Sequence, residues 1–337
     1  MTLKQIAEQL NVSPSTVSLV LHKKEGVSEE TRKRVLETLL SHGYVPSSIE
    51  HKNGNNAAHA IRFLKYSKHS QVVDGNEGFV ASIIDSAEQE ARTQGYDFIM
   101  TSFGDDTMVD TFAMVREQPY QGVIFLGTEF AEKDFHFLND FPVPLVVVDN
   151  RMEFFPIDSV TMDNQDIVHM AIRHLYDLNH RQIGYLRSKT QIANFSERFF
   201  AYEKCMQKLN LPYAKEHVYS ISATMQGAYV DTIELIQKKK EFPPALFADN
   251  DSIAMGAIKA LREYDYKIPE DISIIGFDDI PFCSMIEPPL TTMRVPTAEI
   301  GKWTIRRLCQ KISEPDTPVI KMQFGAELIL RKSTCAY

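Results

Sequence analysis

Two spacings of apolar residues divide this chain: a helical one up to about residue 46, and from Ile61 onward an alternation of strand-like runs with amphipathic stretches. Near the start, Leu3, Ile6, Ala7 and Leu10 recur three and four apart, which predicts a short helix with one inward face. Thr2 stands just ahead, where a side-chain oxygen can accept a free backbone N–H. Asn11-Val12-Ser13 breaks the pattern. Ser13 is placed to cap a second helix, Pro14 takes its first position, where a missing N–H costs nothing, and Val17, Val20 and Leu21 form its apolar stripe. After a polar loop at 22–26, Ser28 is placed to cap a third helix. That helix carries Glu29 and Glu30 in its positive first turn, Val35, Leu36, Leu39 and Leu40 inward, and Gly43 as its stop. Two short helices joined by a tight turn describe a helix-turn-helix, whose second helix enters the DNA major groove. The outward residues Ser15, Thr16 and Ser18 are small enough to let that helix approach base edges and phosphates. An ordinary helical hairpin at a domain end has the same spacing.

From Ile61 the pattern predicts βαβ units and a parallel sheet. Residues 61–66 read as a strand followed by a helix at 79–94. The runs 96–102, 122–127 and 144–149 are continuously apolar, as strands buried on both faces should be. A second series starts near Asn164: helix to Leu178, strand 183–186, helix 196–210, strand near Val218, helix 225–240, strand 245–249, helix 252–264 and strand 272–277. Two similar α/β lobes are therefore expected. Ligands of such sheets bind at the carboxyl ends of the strands. Polar residues stand there at Thr128 and Glu129, Asp149-Asn150-Arg151, Asp249-Asn250-Asp251 and Asp278-Asp279, although any one Asp in such a place also serves as a turn former or helix cap.

Composition narrows the function. The 337 residues are 44% hydrophobic and 24% charged, as in a globular protein, and the net charge is −9. Residues 1–60 hold seven Lys/Arg against six Asp/Glu, so the acidity lies in the remainder and one headpiece brings only modest electrostatic affinity for DNA. Cys205, Cys283, Cys309 and Cys335 have neither CxxC nor metal-ligand spacing, which predicts free thiols and no metal site. No apolar run is long enough to span a bilayer and the first twenty residues lack the secretory pattern, so a cytoplasmic protein without membrane attachment is expected. There is no Gly-rich phosphate loop, no GxSxG and no HExxH, and His174 and His180 read as a structural helix-end pair. An enzyme is not expected, nor a cofactor.

The run TLKQIAEQLNVSPSTVSLVL with VSEETRKRVLETLLSHGYVP resembles the headpiece of the LacI family of bacterial transcription regulators. NHRQIGYL, SERFFAY, ISIIGFDD and PPLTTMRVP resemble the same family in its order and spacing. The resemblance implies a small all-α helix-turn-helix headpiece at 1–46, a linker at 47–60 and a two-lobed α/β effector domain of the periplasmic-binding-protein-like type at 61–337. Lobe 1 would comprise about 61–163 and 293–322, and lobe 2 about 164–292 and 323–337. It further implies a homodimer without the tetramerising zipper of some relatives. The DNA-facing residues would be Thr2, Leu3, Ser13, Pro14, Ser15, Thr16, Ser18, Leu19, His22, Ser28 and Thr31. Leu19 and His22 depart from the long polar residue and the asparagine that relatives often carry there. The family's hinge helix wedges a leucine into the minor groove, but its pattern falls here on Glu50, His51, Lys52 and Asn53. The Asn53-Gly54-Asn55-Asn56 run that includes the last of these is poor helix material, Gly alone costing about 1 kcal/mol relative to Ala.

In the effector domain the resemblance places an arginine and an aspartate that grip the ligand at Arg198 and Asp278, a further contact at Asn250 and an aromatic at Phe79. With Thr128 and Asp149 from the strand ends these make the expected effector site. Ala201 replaces the usual glycine of the arginine's motif. Carboxylate, guanidinium and amide together suit a ligand rich in hydroxyls, a sugar or sugar phosphate. A purine wants stacking on both faces, and Ala223 stands where some relatives have an aromatic. The reading is a repressor of operator DNA controlled by a small carbohydrate. Its alternatives are a nucleobase ligand, a protein corepressor and, furthest off, a transport-type solute-binding protein.

Overall fold

The computed structural model describes residues 59–337 apart from 69–71, 74, 76, 119 and 140, together with Leu10, Val12, Ser13, Thr16, Val17, Val20, Val27, Ser28, Thr31, Lys33, Arg34, Val35 and Thr38 of the first 58. The chain forms two compact units, Met1–Ala58 and His59–Tyr337. In the first, Val17, Val20 and Val35 are buried against Leu10, Val12 and Val27. Ser13 Oγ accepts the Thr16 N–H at 3.0 Å, and Ser28 Oγ accepts the Thr31 N–H at 3.3 Å. Each pair also joins its hydroxyls at 2.9 Å, so both serines act as helix caps. Thr2, Leu3, Pro14, Ser15, Ser18, Leu19 and His22, and the linker up to Ala58, lie outside the described residues.

The second unit is built on parallel sheets. Six strands take the order β11-β5-β4-β3-β1-β2, where β1 is Ala60–Tyr66, β2 Asp97–Phe103, β3 Gly122–Leu126, β4 Leu145–Val148, β5 Asp158–Met162 and β11 Lys321–Phe324. Alternate side chains separate to the two faces. Ile61, Phe63, Ile124, Leu126, Val146 and Val148 pack in one core with helices α1 (Glu77–Thr93) and α7 (Thr297–Ser313). Leu64, Tyr66, Val123, Phe125, Leu145 and Val147 pack in another with α2 (Met108–Glu117). This two-sided burial is why the strands read as unbroken apolar runs.

Four further parallel strands take the order β7-β6-β8-β9: β6 Ile183–Ser188, β7 Val218–Ile221, β8 Ala245–Ala248 and β9 Ser273–Ile275. Their helices are α3 (Asn164–Asp177), α4 (Ala193–Lys208), α5 (Met225–Gln237) and α6 (Asp251–Glu263). Beside β9 an antiparallel ribbon joins β10 (Thr292–Arg294) to β12 (Glu327–Ile329). The chain thus passes between lobes after β5, after β10 and after β11. The final residues dock on the second lobe, where Ser333 Oγ donates to Ile274 O and the Tyr337 N–H to Leu178 O.

β5 and α2 are among the elements that were not legible in the apolar pattern. Strand β5 carries Asp158, Ser159 and Thr161 yet is buried throughout. The sheet accommodates Asp158 because Arg307 Nε donates to it at 2.7 Å and the Ile320 N–H at 2.8 Å. Helix α2 begins on a 3-10 turn without a side-chain cap bond, so its start carries no sequence signal. No described helix is long and apolar enough to cross a membrane.

Candidate functional site

The carboxyl ends of β1, β3 and β4 face those of β6, β8 and β9 across a narrow cavity. All six residues expected at an effector site line it: Phe79 on α1, Thr128 after β3, Asp149 after β4, Arg198 on α4, Asn250 after β8 and Asp278 after β9. Val72, Val80, Ile192, Asn194 and Phe195 complete the wall. Sequence reasoning passed over these five because none is charged and none falls at the end of an apolar strand run.

The two aspartates hold left-handed backbone, φ 63° at Asp149 and φ 116° at Asp278. Non-glycine residues there are strained, and such positions concentrate at functional sites. Asp149 accepts from Thr128 Oγ1 at 2.5 Å and from Asn194 Nδ2 at 3.0 Å, the second bond crossing from one lobe to the other. Burial pushes its carboxyl up to about 6, against the pull of these bonds and of Arg198.

Arg198 is 3% exposed. Its Nε donates to Asn164 Oδ1 at 2.9 Å and its Nη1 to the Asp249 carbonyl. Its Nη2 lies 3.2 Å from Met162 Sδ and 3.7 Å from Asp278 Oδ1. The guanidinium carbon sits 3.5 Å from the centroid of the Phe277 ring, which fixes the plane of the fork. Arg198 and Asp278, paired through Nη2, both line the cavity. Asn250 divides its role, its Oδ1 capping α6 through the Ile253 N–H at 2.9 Å.

Other strand-end residues serve the scaffold. Asn150 Nδ2 bonds the carbonyls of Gly127 and Phe130. Asp249, pushed by burial to about 6, accepts from Tyr185 Oη and the Ser188 N–H. Asp251, likewise pushed to about 6, accepts from Thr292 Oγ1 and the Ile280 N–H. Asp279 pairs with Arg294 at 2.7 Å and Arg331 at 2.6 Å. Glu129 turns away from the cavity toward backbone amides. His174 and His180 tie the last residues down, at 3.2 Å to Thr334 Oγ1 and 3.0 Å to Cys335 O. Ala223 lies in an apolar cluster with Val72, Ile192 and Phe195. Phe79 and Phe195 line the cavity from opposite lobes.

The two-lobed α/β unit with its polar interlobe cleft thus follows, along the chain, a unit whose described residues include two serine-capped helix starts. The family model for bacterial regulatory proteins of the lacI family matches residues 2–47, and that for a periplasmic binding protein-like domain matches 172–334. A relative named HTH-type transcriptional repressor PurR, from Mannheimia succiniciproducens, is 27% identical over 98% of both chains. Among solved structures, a transcriptional regulator CelR–cellobiose complex has a TM-score of 0.74 at 23% identity and 99% coverage of both chains. A lac repressor dimer bound to operator and the anti-inducer ONPF has 0.73 at 22%, covering 100% of this chain and 99% of that one. At these identities the structures share the fold. Residues 2–47 match the lacI family's model, and the chain, similar over its length to transcriptional repressors, is a DNA-binding transcription regulator, not an enzyme.

Proposed function

We propose that the protein is a cytoplasmic, homodimeric repressor whose headpieces (1–46) read operator half-sites about one helical turn apart, joined by the linker 47–60 to a ligand-binding domain at 61–337. The DNA-facing residues are those named from the headpiece resemblance, with Ser13 and Ser28 doubling as caps. The effector is a small carbohydrate held between the lobes. The observation that carries this is the convergence of Phe79, Thr128, Asp149, Arg198, Asn250 and Asp278 on one cavity. Carboxylates, fork and amides offer paired hydrogen bonds to adjacent hydroxyls, and an aromatic wall accepts the apolar face of a sugar ring. A nucleobase is the second reading, favoured by Phe79 and Phe195 lining the cavity from opposite lobes.

Thermal shift with monosaccharides, disaccharides, sugar phosphates and free nucleobases decides between them. A ligand at a hundred times its Kd adds about 2.7 kcal/mol to stability by mass action. We expect a sugar to raise the melting temperature and to alter affinity for DNA selected from a random pool. Asp278→Ala should abolish both responses and leave basal DNA affinity within a few-fold. Stabilisation by a nucleobase alone would transfer the assignment to the second reading. A normal response in the variant would overturn the cleft assignment.

A further inference from the structure

Glu129 follows Thr128 at the end of β3, but its carboxylate is directed along the protein wall and not into the cavity. It is 4% exposed. A carboxylate buried to that degree needs strong donors. It has three from one stretch of backbone: Lys68 N–H on Oε2 at 2.6 Å, and the N–H groups of Val72 and Val73 on Oε1 at 3.1 Å each. The Lys68 ammonium is turned elsewhere, 3.7 Å from Asp105. Glu129 thus fastens the connection between β1 and α1 through its amides. Val72, 5% exposed, projects from that connection into the apolar cluster with Ile192, Phe195 and Ala223, all three on the opposite lobe. Val72, Ile192 and Phe195 are also cavity wall.

We propose that Glu129 is a positioning residue of the cleft: it seats Val72 against the second lobe, so that one carboxylate in the turn after β3 sustains the apolar bridge across the ligand site. This rests on the cleft being the ligand site. The bridge couples lobe angle to cavity occupancy, because separating the lobes exposes Val72, Ile192 and Phe195 together.

Hydrogen–deuterium exchange on the full chain without ligand tests it, comparing the unmodified protein with Glu129→Ala, Glu129→Gln and Val72→Ala. Local opening is read directly by this method. Glu129→Ala should accelerate exchange in peptides covering 66–75 and also, by about fivefold or more, in those covering 190–196 across the cleft. Val72→Ala should reproduce the effect at 190–196 with 66–75 largely protected. Glu129→Gln keeps an acceptor for Val72 and Val73 and should stay near the unmodified protein at 190–196. Acceleration confined to 66–75, or spread evenly over the whole second unit, would overturn the proposal. Should Glu129→Ala fail to fold, unchanged exchange at 190–196 in Val72→Ala does the same. No ligand enters the measurement, so a failed sugar screen leaves its outcome intact.

Discussion

Asp149 bears two costs at once, a left-handed backbone at φ 63° and a carboxylate pushed up to about 6 by burial. A ligand hydroxyl donating to Asp149 stabilises its ionised form, so binding releases a proton. Affinity should therefore rise with pH up to about 7 and then level. At pH 5, one unit below the carboxyl's value of about 6, it should fall about tenfold from that plateau, equivalent to about 1.4 kcal/mol. Calorimetry in two buffers of different ionisation heat should record the released proton, and Asp149→Asn should flatten the profile; an unchanged slope in that variant would place the titrating group elsewhere. At this scale Arg198 and Asp278 were readable through the resemblance of SERFFAY and ISIIGFDD to the family's motifs. Asn194 and Phe195 were not, since QIANFSER has no strand end or charge pattern that aims them at a cleft. Only their place in the first turn of α4, beside Ile192, brings them there.

Helices α1 and α7 approach closely at Gly301, where a Cβ would lie 2.1 Å from Ser86 Oγ and 2.4 Å from Ile83 O. The Ser86 hydroxyl could rotate, but the Ile83 carbonyl is backbone, so relief requires the helices to part. Gly301→Ala gains about 1 kcal/mol in helix propensity, while overpacking costs typically 1–3 kcal/mol and occasionally more. With contact this close to backbone the second effect wins, and we expect a net loss of about 2 kcal/mol. A lowered denaturant midpoint at unchanged slope checks it, and an equal or higher midpoint would mean the pair is looser than described. Most elements were legible because fully buried parallel strands and one-sided helices write their period into the chain. β5 was not, because its polar residues are made tolerable by partners far along the sequence, Arg307 and Ile320. No local window contains that information.

On the scale of the whole molecule, the proposed regulation requires ligand state to reach the DNA through the proposed linker, residues 47–60. The family resemblance carries a hinge that kinks DNA with an apolar wedge, a device whose stacking cost is recovered as wrapped surface. This chain has Asn53 in the wedge's place with Gly54, Asn55 and Asn56 after it, and its nearest apolar residue, Ile49, comes four positions early and close to Pro46. A wedge there would have to enter the groove before the linker has cleared the headpiece. The acidic body gives DNA no reason to wrap further, since the residues beyond the first sixty carry a net charge of −10 against +1 in the first sixty. We propose that Lys52 and His51 supply phosphate contacts, and that coupling passes through dimer geometry, the lobes setting the effective concentration of one headpiece at its half-site once the other is bound. The usual scale of such coupling, about 1–3 kcal/mol, is within reach of a tether without a kink. We therefore expect only weak bending of the selected operator, measured by FRET between its ends, and no change on Ile49→Ala. A sharp central bend that disappears in Ile49→Ala would mean that the wedge has moved along the linker and still drives recognition.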